Sequence, residues 1–244
     1  MAKTATLYRM VMPDHVCPFG RRALDLLQRH GYTVDDRHLT TREAVDAFKA
    51  EHGVKTTPQT FVDGERIGGH DDLRRFLGLK IRDPKATTYA PVAAIFGMAA
   101  AIAGAASFSA FGDVFTMRAG EWFVGIAMCL LSLQKLRDID GFANGFLNYD
   151  LLAQRVVRYA LVYPWAEGLA GVLMIAGALL WIAIPVALVI GTIGAVSVVK
   201  AVYIERRSLK CACVGGNSNV PLGFVSLLEN VLMVAMAVWM LARM

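Results

Sequence analysis

The stretch "HVCPFGRR" (residues 15–22) places a cysteine directly before a proline, at the point where a helical pattern begins. Pro18 suits the first turn of a helix, where no backbone N–H is needed. Cys17 would then face free backbone N–H groups and the positive end of the helix dipole, which favour a thiolate. Arg21 and Arg22 add positive charge nearby. The pattern therefore predicts a reactive thiol at the N-terminus of a helix.

Alternating strand and helix patterns surround this stretch. They predict strands at 4–11 and 32–39, helices at 21–31, 41–53 and 70–78, and a hairpin at 58–69. Thr40 or Thr41 is expected to cap the second helix, which should end at Gly53. Asp63-Gly64 is a strong signal for a two-residue hairpin turn. The order βαβαββα predicts a thioredoxin-like α/β domain with helices on both faces of its sheet.

Three separated pieces of residues 4–79 resemble glutaredoxins in their order and spacing. They are Cys17-Pro18-Phe19-Gly20 in a strand-to-helix loop, Thr56-Thr57-Pro58 before a strand, and Gly68-Gly69-His70-Asp71-Asp72 at the start of the last helix. The resemblance implies that Cys17 is the catalytic thiol, that Pro58 is a cis-proline facing it, and that glutathione is the co-substrate. The glutathione-binding residues that it implies are Pro18, Phe19, Thr57, Pro58, Gly69, His70 and Asp71.

The sequence departs from the glutaredoxin pattern in two places. Gly20 stands where a second cysteine would resolve a disulfide, so a one-thiol mechanism is expected, in which Cys17 forms mixed disulfides with glutathione or with a protein thiol. The loop between Tyr8 and Cys17 is longer than usual, and Asp14 replaces a lysine that glutaredoxins often carry there. His15 is interpreted as a surface histidine, with assistance to the thiolate as the alternative.

The chain as a whole is too apolar for an ordinary soluble protein. Of its 244 residues 56% are hydrophobic and 18% charged, whereas about a quarter is charged in typical soluble domains. We expect a cytoplasmic domain at 1–80, a basic linker at 81–89 and a membrane helix bundle at 90–244. The net charge of +5 is attributed to basic residues flanking membrane helices rather than to nucleic-acid binding. No signal-peptide pattern is expected at the start.

Five apolar segments are predicted to cross a membrane, at roughly 90–112, 119–136, 159–181, 184–205 and 220–241, each near the ~20 residues that a spanning helix needs. The third and fourth are expected to meet at a tight turn in "WIAIP" (181–185), with Pro185 as the break. Most basic residues between the segments then fall on the N-terminal side of the membrane. The positive-inside rule predicts a bacterial-type inner (cell) membrane protein, with its soluble domain in the cytoplasm and its C-terminus outside.

A second thiol signal is the Cys211-x-Cys213 pair in "LKCACVGGN" (209–217), which the predicted topology places on the same side of the membrane as Cys17. A Cys-x-Cys disulfide closes a small strained ring and suits exchange. Two thiolates at this spacing also suit a soft metal ion.

Polar residues within the apolar segments predict a pocket that opens to the cytoplasm beneath the cysteine pair. Cys129, Glu167, Lys200 and Glu229 lie at similar depth on different segments, and buried ionisable groups in membranes usually face a partner or a cavity. In the alternative interpretation, Lys200 snorkels and each glutamate bonds a neighbour for packing. Cys129 alone is more readily interpreted as a packing residue.

The segment "KLRD" (135–138) and the residues after it resemble the MauE/DoxX family of redox-associated membrane proteins, over roughly 118–242. The matching residues are Lys135, Asp138 and Glu167 for a Lys-Leu-x-Asp followed by a glutamate in the next helix, and Cys211, Cys213 and Gly215 for a late Cys-x-Cys with glycine. The resemblance adds Lys135 and Asp138 to the predicted pocket. The helix at 90–112 is interpreted as an additional tether.

Two functional hypotheses follow. The first is a membrane thiol–disulfide oxidoreductase in which Cys17 exchanges with Cys211 and Cys213, glutathione carries electrons, and Cys129 is a further relay or target. Its substrate would be a protein disulfide or an oxidised small molecule, and the pocket residues would move protons. The alternative is a carrier for a soft metal or a thiol conjugate, with the pair as capture site. A membrane-tethered iron–sulfur glutaredoxin is a weaker third hypothesis. No bound metal is expected.

Overall fold

The computed structural model describes residues 3–81, 83, 86–212 and 219–243. The chain divides into two compact units, Met1–Pro84 and Lys85–Met244. Cys213 and Gly215 of the predicted Cys-x-Cys motif lie outside the described residues, as do Arg82 and Lys85 of the predicted basic linker.

The first unit is a four-stranded sheet with three helices. In chain order its elements are β1 (Lys3–Met10), α1 (Pro18–Arg29), β2 (Tyr32–Leu39), α2 (Arg42–His52), β3 (Gln59–Val62), β4 (Glu65–Gly68) and α3 (His70–Phe76). The strand order is β2-β1-β3-β4, with β2 parallel to β1 and the remaining neighbours antiparallel. The predicted element order and thioredoxin-like fold class are confirmed.

Strand β1 contributes to a separate hydrophobic core on each face of the sheet. Ala5 and Leu7 join a core with α1 and α3, whereas Tyr8 stacks on Phe48 of α2. This follows from the two-residue period of a strand, which turns successive side chains to opposite faces. The central strand β1 thereby fixes the helices on both faces, and its C-terminal end leads into the segment that carries Cys17.

The predicted cap and turn residues occupy the expected positions. The side chain of Thr41 accepts a hydrogen bond from the N–H of Ala44 at 3.2 Å, and Gly53 ends α2 with a φ of 63°. Asp63 and Gly64 both have positive φ, 50° and 81°, as the favoured two-residue hairpin turn requires.

The second unit is helical. Its elements are α4 (Ala90–Phe111), α5 (Met117–Leu136), α6 (Ile139–Leu147), α7 (Val157–Ala176), α8 (Leu180–Val198) and α9 (Phe224–Leu241), and α8 continues into a π-helical segment, Val199–Ile204. Among the described residues, four helices are long and apolar enough to span a membrane: α4, α7, α8 with its π-helical end, and α9. The chain is a multi-pass membrane protein. The short helix α6 was not predicted.

Helix α5 corresponds to the remaining predicted span and has 20 residues, as α7 does. It differs from the four apolar helices because it carries Arg118, Glu121 and Lys135, which lower its hydropathy. Glu121 and Lys135 are buried and ion-paired, and α5 packs against both α4 and α7. Its charged side chains are therefore satisfied inside the helix bundle, as ionisable groups in membrane helices require.

The predicted turn at "WIAIP" is wrong. Helix α7 ends at Ala176 and α8 begins at Leu180, so that Pro185 lies inside α8. The chain reverses at Gly177, which has a φ of 65° and caps α7, because glycine adopts this left-handed conformation without a Cβ penalty. Pro185 lies near the beginning of α8, where it does not end the helix.

Helices α5 and α7 approach closely at two glycines. A Cβ on Gly171 would lie 2.7 Å from the carbonyl oxygen of Gly125, and a Cβ on Gly125 would lie 3.0 Å from the carbonyl oxygen of Gly171. Both distances are too short for any larger residue, and small residues at helix crossings allow membrane helices to approach in this way. The crossing holds α5 and α7 at the separation at which their polar side chains meet.

An ion pair joins β1 to β2 in the first unit. Arg9 donates through Nε to Oδ1 of Asp36 at 2.7 Å and through Nη2 to Oδ2 at 2.6 Å, and Nε2 of His38 lies 2.9 Å from the same Oδ2. Burial alone would raise the pKa of Asp36, but the hydrogen bonds from Arg9 and His38 outweigh burial and hold the pKa below its usual value.

Asp36→Asn is expected to lower the free energy of local unfolding of β1 and β2 by ~2 kcal/mol near neutral pH, because Arg9 loses a charged acceptor. The folded-state pKa of Asp36 is lowered, so its contribution is present above the ordinary value of 3.8 and is lost as pH falls through the folded-state pKa. Amide hydrogen exchange, corrected for intrinsic rates, should show greater protection in the parent near neutral pH and convergence with the variant at acidic pH. A difference that persists unchanged in acid would contradict this assignment.

Candidate thiol sites

Cys17 is the residue immediately before α1, and its thiol is largely buried. Its N–H donates to the carbonyl oxygen of Met10 at the end of β1, at 3.1 Å, and its own carbonyl accepts from the N–H of Arg21, also at 3.1 Å. Pro18 occupies the first position of the helix. The backbone thus fixes Cys17 between the end of the central strand and the N-terminal end of α1.

The long loop before Cys17 is folded into a tight reversal. Val11 and Val16 form an antiparallel bridge. Met12 and His15 exchange two backbone hydrogen bonds, of 2.8 and 3.3 Å, around Pro13 and Asp14. The side chain of His15 is exposed. The additional residues of the loop therefore pair with one another through backbone hydrogen bonds, up to the residue before Cys17.

The three glutaredoxin-like pieces of sequence meet in the fold. The rings of Phe19 and His70 lie 5.9 Å apart edge to face, which joins the cysteine loop to the start of α3. A Cβ on Gly69 would lie 3.7 Å from the carbonyl oxygen of Pro58, and the Thr57–Pro58 bond is cis, as the resemblance implies. Asp71 is exposed and lies 3.0 Å from Nδ1 of His70.

Gly20 has no room for a side chain. A Cβ at this position would lie 2.7 Å from Cβ and 3.1 Å from Cδ of Arg9, well inside the ~3.5–4.0 Å at which carbon atoms make favourable contact. Cβ of Arg9 is fixed by the central strand, and the rest of its side chain is held by Asp36. Arg9 therefore occupies the space into which a second thiol of the loop would project.

Gly20→Ala tests whether the contact with Arg9 or the helix propensity of alanine dominates the stability of α1. Propensity alone predicts that alanine would stabilise α1 by ~0.5–1 kcal/mol. Overpacking against Arg9 predicts the opposite sign, a destabilisation of ~1–3 kcal/mol. Hydrogen-exchange protection of α1 in the full-length protein decides between them, with Gln28→Ala, at an exposed position of the same helix, as a near-neutral control. Increased protection in Gly20→Ala would show that α1 shifts to make room for the methyl group and that Arg9 does not exclude a side chain at position 20.

The described part of the Cys-x-Cys segment lies in the second unit. Cys211 is 2% exposed, and Ala212 after it is buried as well. The N–H of Cys211 donates to the carbonyl oxygen of Val220 at 2.8 Å, and its Sγ lies 3.0 Å from Oγ of Ser226 in the first turn of α9. Cys213 lies outside the described residues.

A buried ionic cluster joins three helices of the second unit. Nζ of Lys135 in α5 donates to Oε1 and Oε2 of Glu167 in α7, at 2.8 and 2.6 Å, and to Oε1 of Glu229 in α9 at 2.7 Å. Lys135, Glu167 and Glu229 are 1%, 0% and 5% exposed. Nζ also lies 5.2 Å from the ring centre of Tyr163. Three of the predicted pocket residues are thus brought together, in a closed cluster rather than an open pocket.

The other predicted pocket residues lie elsewhere. Lys200 is exposed and pairs weakly with Glu205 at 3.7 Å, in the π-helical end of α8. Asp138 is exposed and caps α6 by accepting from the N–H of Gly141 at 3.0 Å. The thiol of Cys129 is half-buried, 3.7 Å from the carbonyl oxygen of Gly168 on the facing helix α7. Lys200 and Asp138 thus have partners outside the ionic cluster, whereas Cys129 lies close enough to Glu167 for the carboxylate to act on its thiol electrostatically.

The sequence interpretation missed two residues that complete these sites. Ser132, one turn before Lys135, donates to the carbonyl oxygen of Pro164 at 2.7 Å. Ser226 lies one turn before Glu229 on the buried face of α9. The signal was the spacing of polar residues at i and i+3 within otherwise apolar helices, which places them on one face.

Lys135→Met is expected to destabilise the membrane unit by ~3–5 kcal/mol, because it leaves two buried carboxylates without their cation. Glu229→Gln should have a smaller effect, since Lys135 keeps both oxygens of Glu167. The midpoint of thermal unfolding of detergent-solubilised protein should therefore fall in the order parent, Glu229→Gln, Lys135→Met. Equal midpoints for Lys135→Met and the parent would show that the cluster is not a source of stability.

Comparisons with known proteins match the two units separately. Residues 113–243, more than half of the chain, match the family described as methylamine utilisation protein MauE, and residues 5–67 match glutaredoxin. The probable glutaredoxin ssr2061 of Synechocystis sp. is 40% identical over 70 residues, which are 28% of this chain and 80% of that protein. The hybrid peroxiredoxin hyPrx5 of Haemophilus influenzae is 35% identical over 60 residues, 25% of each chain. This chain therefore covers only a quarter of the peroxiredoxin. Both resemblances expected from the sequence are confirmed.

Proposed function

Because the chain belongs to the MauE family and carries a glutaredoxin domain ahead of its MauE region, we propose that it is a membrane-bound thiol–disulfide oxidoreductase. In this proposal Cys17 exchanges disulfides with the Cys211–Cys213 pair, and glutathione is the co-substrate. The oxidised substrate beyond the pair would be a protein disulfide or an oxidised small molecule.

The observation that carries the proposal is the presence of two complementary thiol sites in one chain. Cys17 is a single thiol at the N-terminus of α1, and Gly20 provides no second thiol in its loop. Cys211 and Cys213 are a close pair in the membrane unit. A single thiol cannot complete a disulfide by itself, whereas a close pair can store two electrons as a dithiol.

The exchange can be written with atoms and electrons balanced. The Cys17 thiolate attacks one sulfur of the oxidised pair, forms a mixed disulfide, and releases the other sulfur as a thiolate. A glutathione thiolate then attacks Cys17 in that mixed disulfide and releases the second sulfur of the pair, leaving glutathione bound to Cys17. A second glutathione restores the Cys17 thiolate and leaves as oxidised glutathione. Two glutathiones are oxidised and one disulfide is reduced.

The glutathione site is proposed from the glutaredoxin resemblance and the convergence of its three motifs. The cleft residues would be Pro18, Phe19, Thr57, Pro58, Gly69, His70 and Asp71. The contact of Phe19 with His70 and the proximity of Gly69 to Pro58 support a single binding surface beside Cys17.

We assign a proton-handling role to the cluster of Lys135, Glu167 and Glu229. One ammonium faces two carboxylates in a buried setting, so one bound proton makes the cluster neutral, and burial in a membrane favours neutral groups. When the disulfide of the pair is reduced, the two thiolates that form take up protons to become thiols. Ser226 and Glu229, one turn apart on the buried face of α9, support a connection between the cluster and the thiol of Cys211.

The proposed orientation rests on the basic residues of the sequence. With five crossings, the positive-inside rule puts the segments before α4, between α5 and α7, and between α8 and α9 in the cytoplasm. Cys17 and the cysteine pair would then face the same compartment of a bacterial-type inner membrane, and the C-terminus would lie outside.

Disulfide mapping by mass spectrometry tests the relay. Purified full-length protein is oxidised, treated with reduced glutathione, and compared with Cys17→Ser. We expect a glutathione adduct on Cys17 or a link from Cys17 to the pair in the parent, with the pair remaining oxidised in Cys17→Ser. Cys129→Ser, which removes the predicted further relay or target, is compared in parallel. Gln28→Ala, at an exposed position of α1, is the control and should behave as the parent does.

Two results would reject the relay. Reduction of the pair at the same rate with and without Cys17 would show that the glutaredoxin domain does not reduce the pair. A pair that retains a stoichiometric soft metal ion and never forms a disulfide would favour the carrier hypothesis.

A further inference from the structure

A cavity of about 520 Å³ lies at one end of the membrane unit. It is formed where α4 and α9 end and where α5 and α8 begin. Its apolar walls come from Phe111, Met117, Leu180 and Met240. The volume falls within the ~300–1,000 Å³ of typical sites for small molecules. The bundle therefore leaves room for a ligand at the level at which its helices end.

Two arginines and one glutamate give this cavity an unequal charge. Oε2 of Glu121 accepts from Nη1 of Arg118 at 2.7 Å, and Oε1 accepts from Nη1 of Arg243 at 3.2 Å. All three side chains line the cavity. Asp113, in the connection between α4 and α5, uses its carboxylate to accept from the N–H of Phe115 at 2.9 Å. The described lining residues thus carry two positive charges and one negative charge.

The two guanidinium groups keep N–H donors that the described residues do not use. A guanidinium group has five N–H donors in a planar fork. Among the described residues, Arg118 donates to Glu121 and to the carbonyl oxygen of Ile175, at 3.1 Å, and Arg243 donates to Glu121. The side chains of Arg118 and Arg243 are 33% and 56% exposed. Their remaining donors can therefore reach a ligand in the cavity.

Tryptophan side chains lie beside both arginines. The guanidinium carbon of Arg118 is 5.6 Å from the ring centre of Trp122, and that of Arg243 is 5.3 Å from the ring centre of Trp239. Nε1 of Trp239 also donates to Oε1 of Glu121 at 3.2 Å. Tryptophan is enriched at the boundary between a membrane and water. The cavity is therefore assigned to the depth of the lipid headgroups.

We propose that this cavity binds the phosphate group of an anionic phospholipid, with Arg118 and Arg243 as the donors. The fork of an arginine matches the oxygens of a phosphate. Charged groups in a membrane protein require partners, and the phosphate balances the positive charge that Glu121 leaves over. The acyl chains lie against Phe111 and Met117, which are 57% and 64% exposed.

This lipid site is separate from the proposed thiol–disulfide exchange. Cys211 contacts Ser226 in the first turn of α9, whereas Arg243 follows the end of the same helix. The 18 residues of α9 span ~27 Å at ~1.5 Å per residue. Lipid binding at Arg118 and Arg243 therefore does not depend on the redox reaction, and either proposal can fail without the other.

Native mass spectrometry of detergent-solubilised full-length protein tests the site. The probes are phosphatidylglycerol and phosphatidylcholine with the same acyl chains. We expect phosphatidylglycerol to bind at least about tenfold more tightly, because the two arginines repel the choline cation. Arg118→Gln and Arg243→Gln should each weaken its binding about tenfold, because hydrogen bonds to a charged group are lost. Arg158→Gln, at an exposed position in the first turn of α7, removes the same charge elsewhere and should leave the affinity unchanged.

Glu121→Gln tests the charge balance with the opposite sign. The change removes the carboxylate that competes with the phosphate but keeps an oxygen that accepts from the guanidinium groups. Phosphatidylglycerol should therefore bind about tenfold more tightly than to the parent. A variant that only loosened the bundle would bind the lipid more weakly, so this result separates charge from folding.

A competition measurement separates the lipid from a soluble phosphate. Glycerol 1-phosphate carries the phosphate ester without acyl chains. It should displace phosphatidylglycerol only at a concentration at least about a hundredfold higher, because it lacks the apolar contacts of the chains. Displacement at equal concentrations would make the cavity a site for a soluble phosphate and overturn the proposal.

Three outcomes of the lipid titrations would also overturn it. Equal binding of the two lipids would show that the arginines do not select an anion. Equal weakening by Arg158→Gln and Arg243→Gln would show a general attraction between a basic protein and an anionic lipid. Weaker binding to Glu121→Gln would show that the charge of the cavity does not control its affinity.

Discussion

The membrane unit depends on the ammonium group of Lys135. It is 1% exposed and is neutralised by Glu167 and Glu229 on two other helices. Withdrawing an ammonium from water costs several kcal/mol, which is offset only when charged partners surround it with good geometry. An arrangement of α5, α7 and α9 that failed to bring these three side chains together would leave a charge unpaired in the bundle. The cluster thus favours the packing of α5, α7 and α9 in which these three side chains meet.

The surrounding sequence accommodates this requirement. Gly125 and Gly171 let α5 and α7 touch through their backbones, and a Cβ on Gly168 would lie 2.5 Å from Oγ of Ser132. That serine donates to the carbonyl oxygen of Pro164, inside α7. The glycines are therefore needed for close approach rather than for flexibility. The buried polar residues Glu121, Ser132 and Lys135 of α5 have partners on α7 or α9.

Several features of the fold could be predicted from the sequence because they depend on local rules. The cap at Thr41 and the turn at Asp63-Gly64 follow from single residues and their neighbours. The ionic cluster was only partly predicted, since Lys200 and Lys135 are equally plausible cations until the rotation of each helix is known. Proline at position 185 favours a break in a helical pattern, but the chain reverses at Gly177, which has the positive φ that the reversal requires. The contact of Arg9 with Gly20 joins residues distant in sequence, and no local pattern reveals it.

The exclusion of a side chain at Gly20 offers a chemical reason for joining the two units in one chain. A glutaredoxin domain with one thiol cannot release a bound partner by closing its own disulfide, so every mixed disulfide on Cys17 must be resolved by a thiol from elsewhere. Tethering a second thiol site to the same chain raises its effective concentration, to about millimolar for short flexible linkers. In the proposed exchange, glutathione and the pair would compete for the same sulfur of Cys17. Arg9 excludes a side chain at position 20, so no thiol of the loop would enter that competition. The fused pair would supply a thiol whose own partner can close a disulfide after the exchange, which glutathione alone does not.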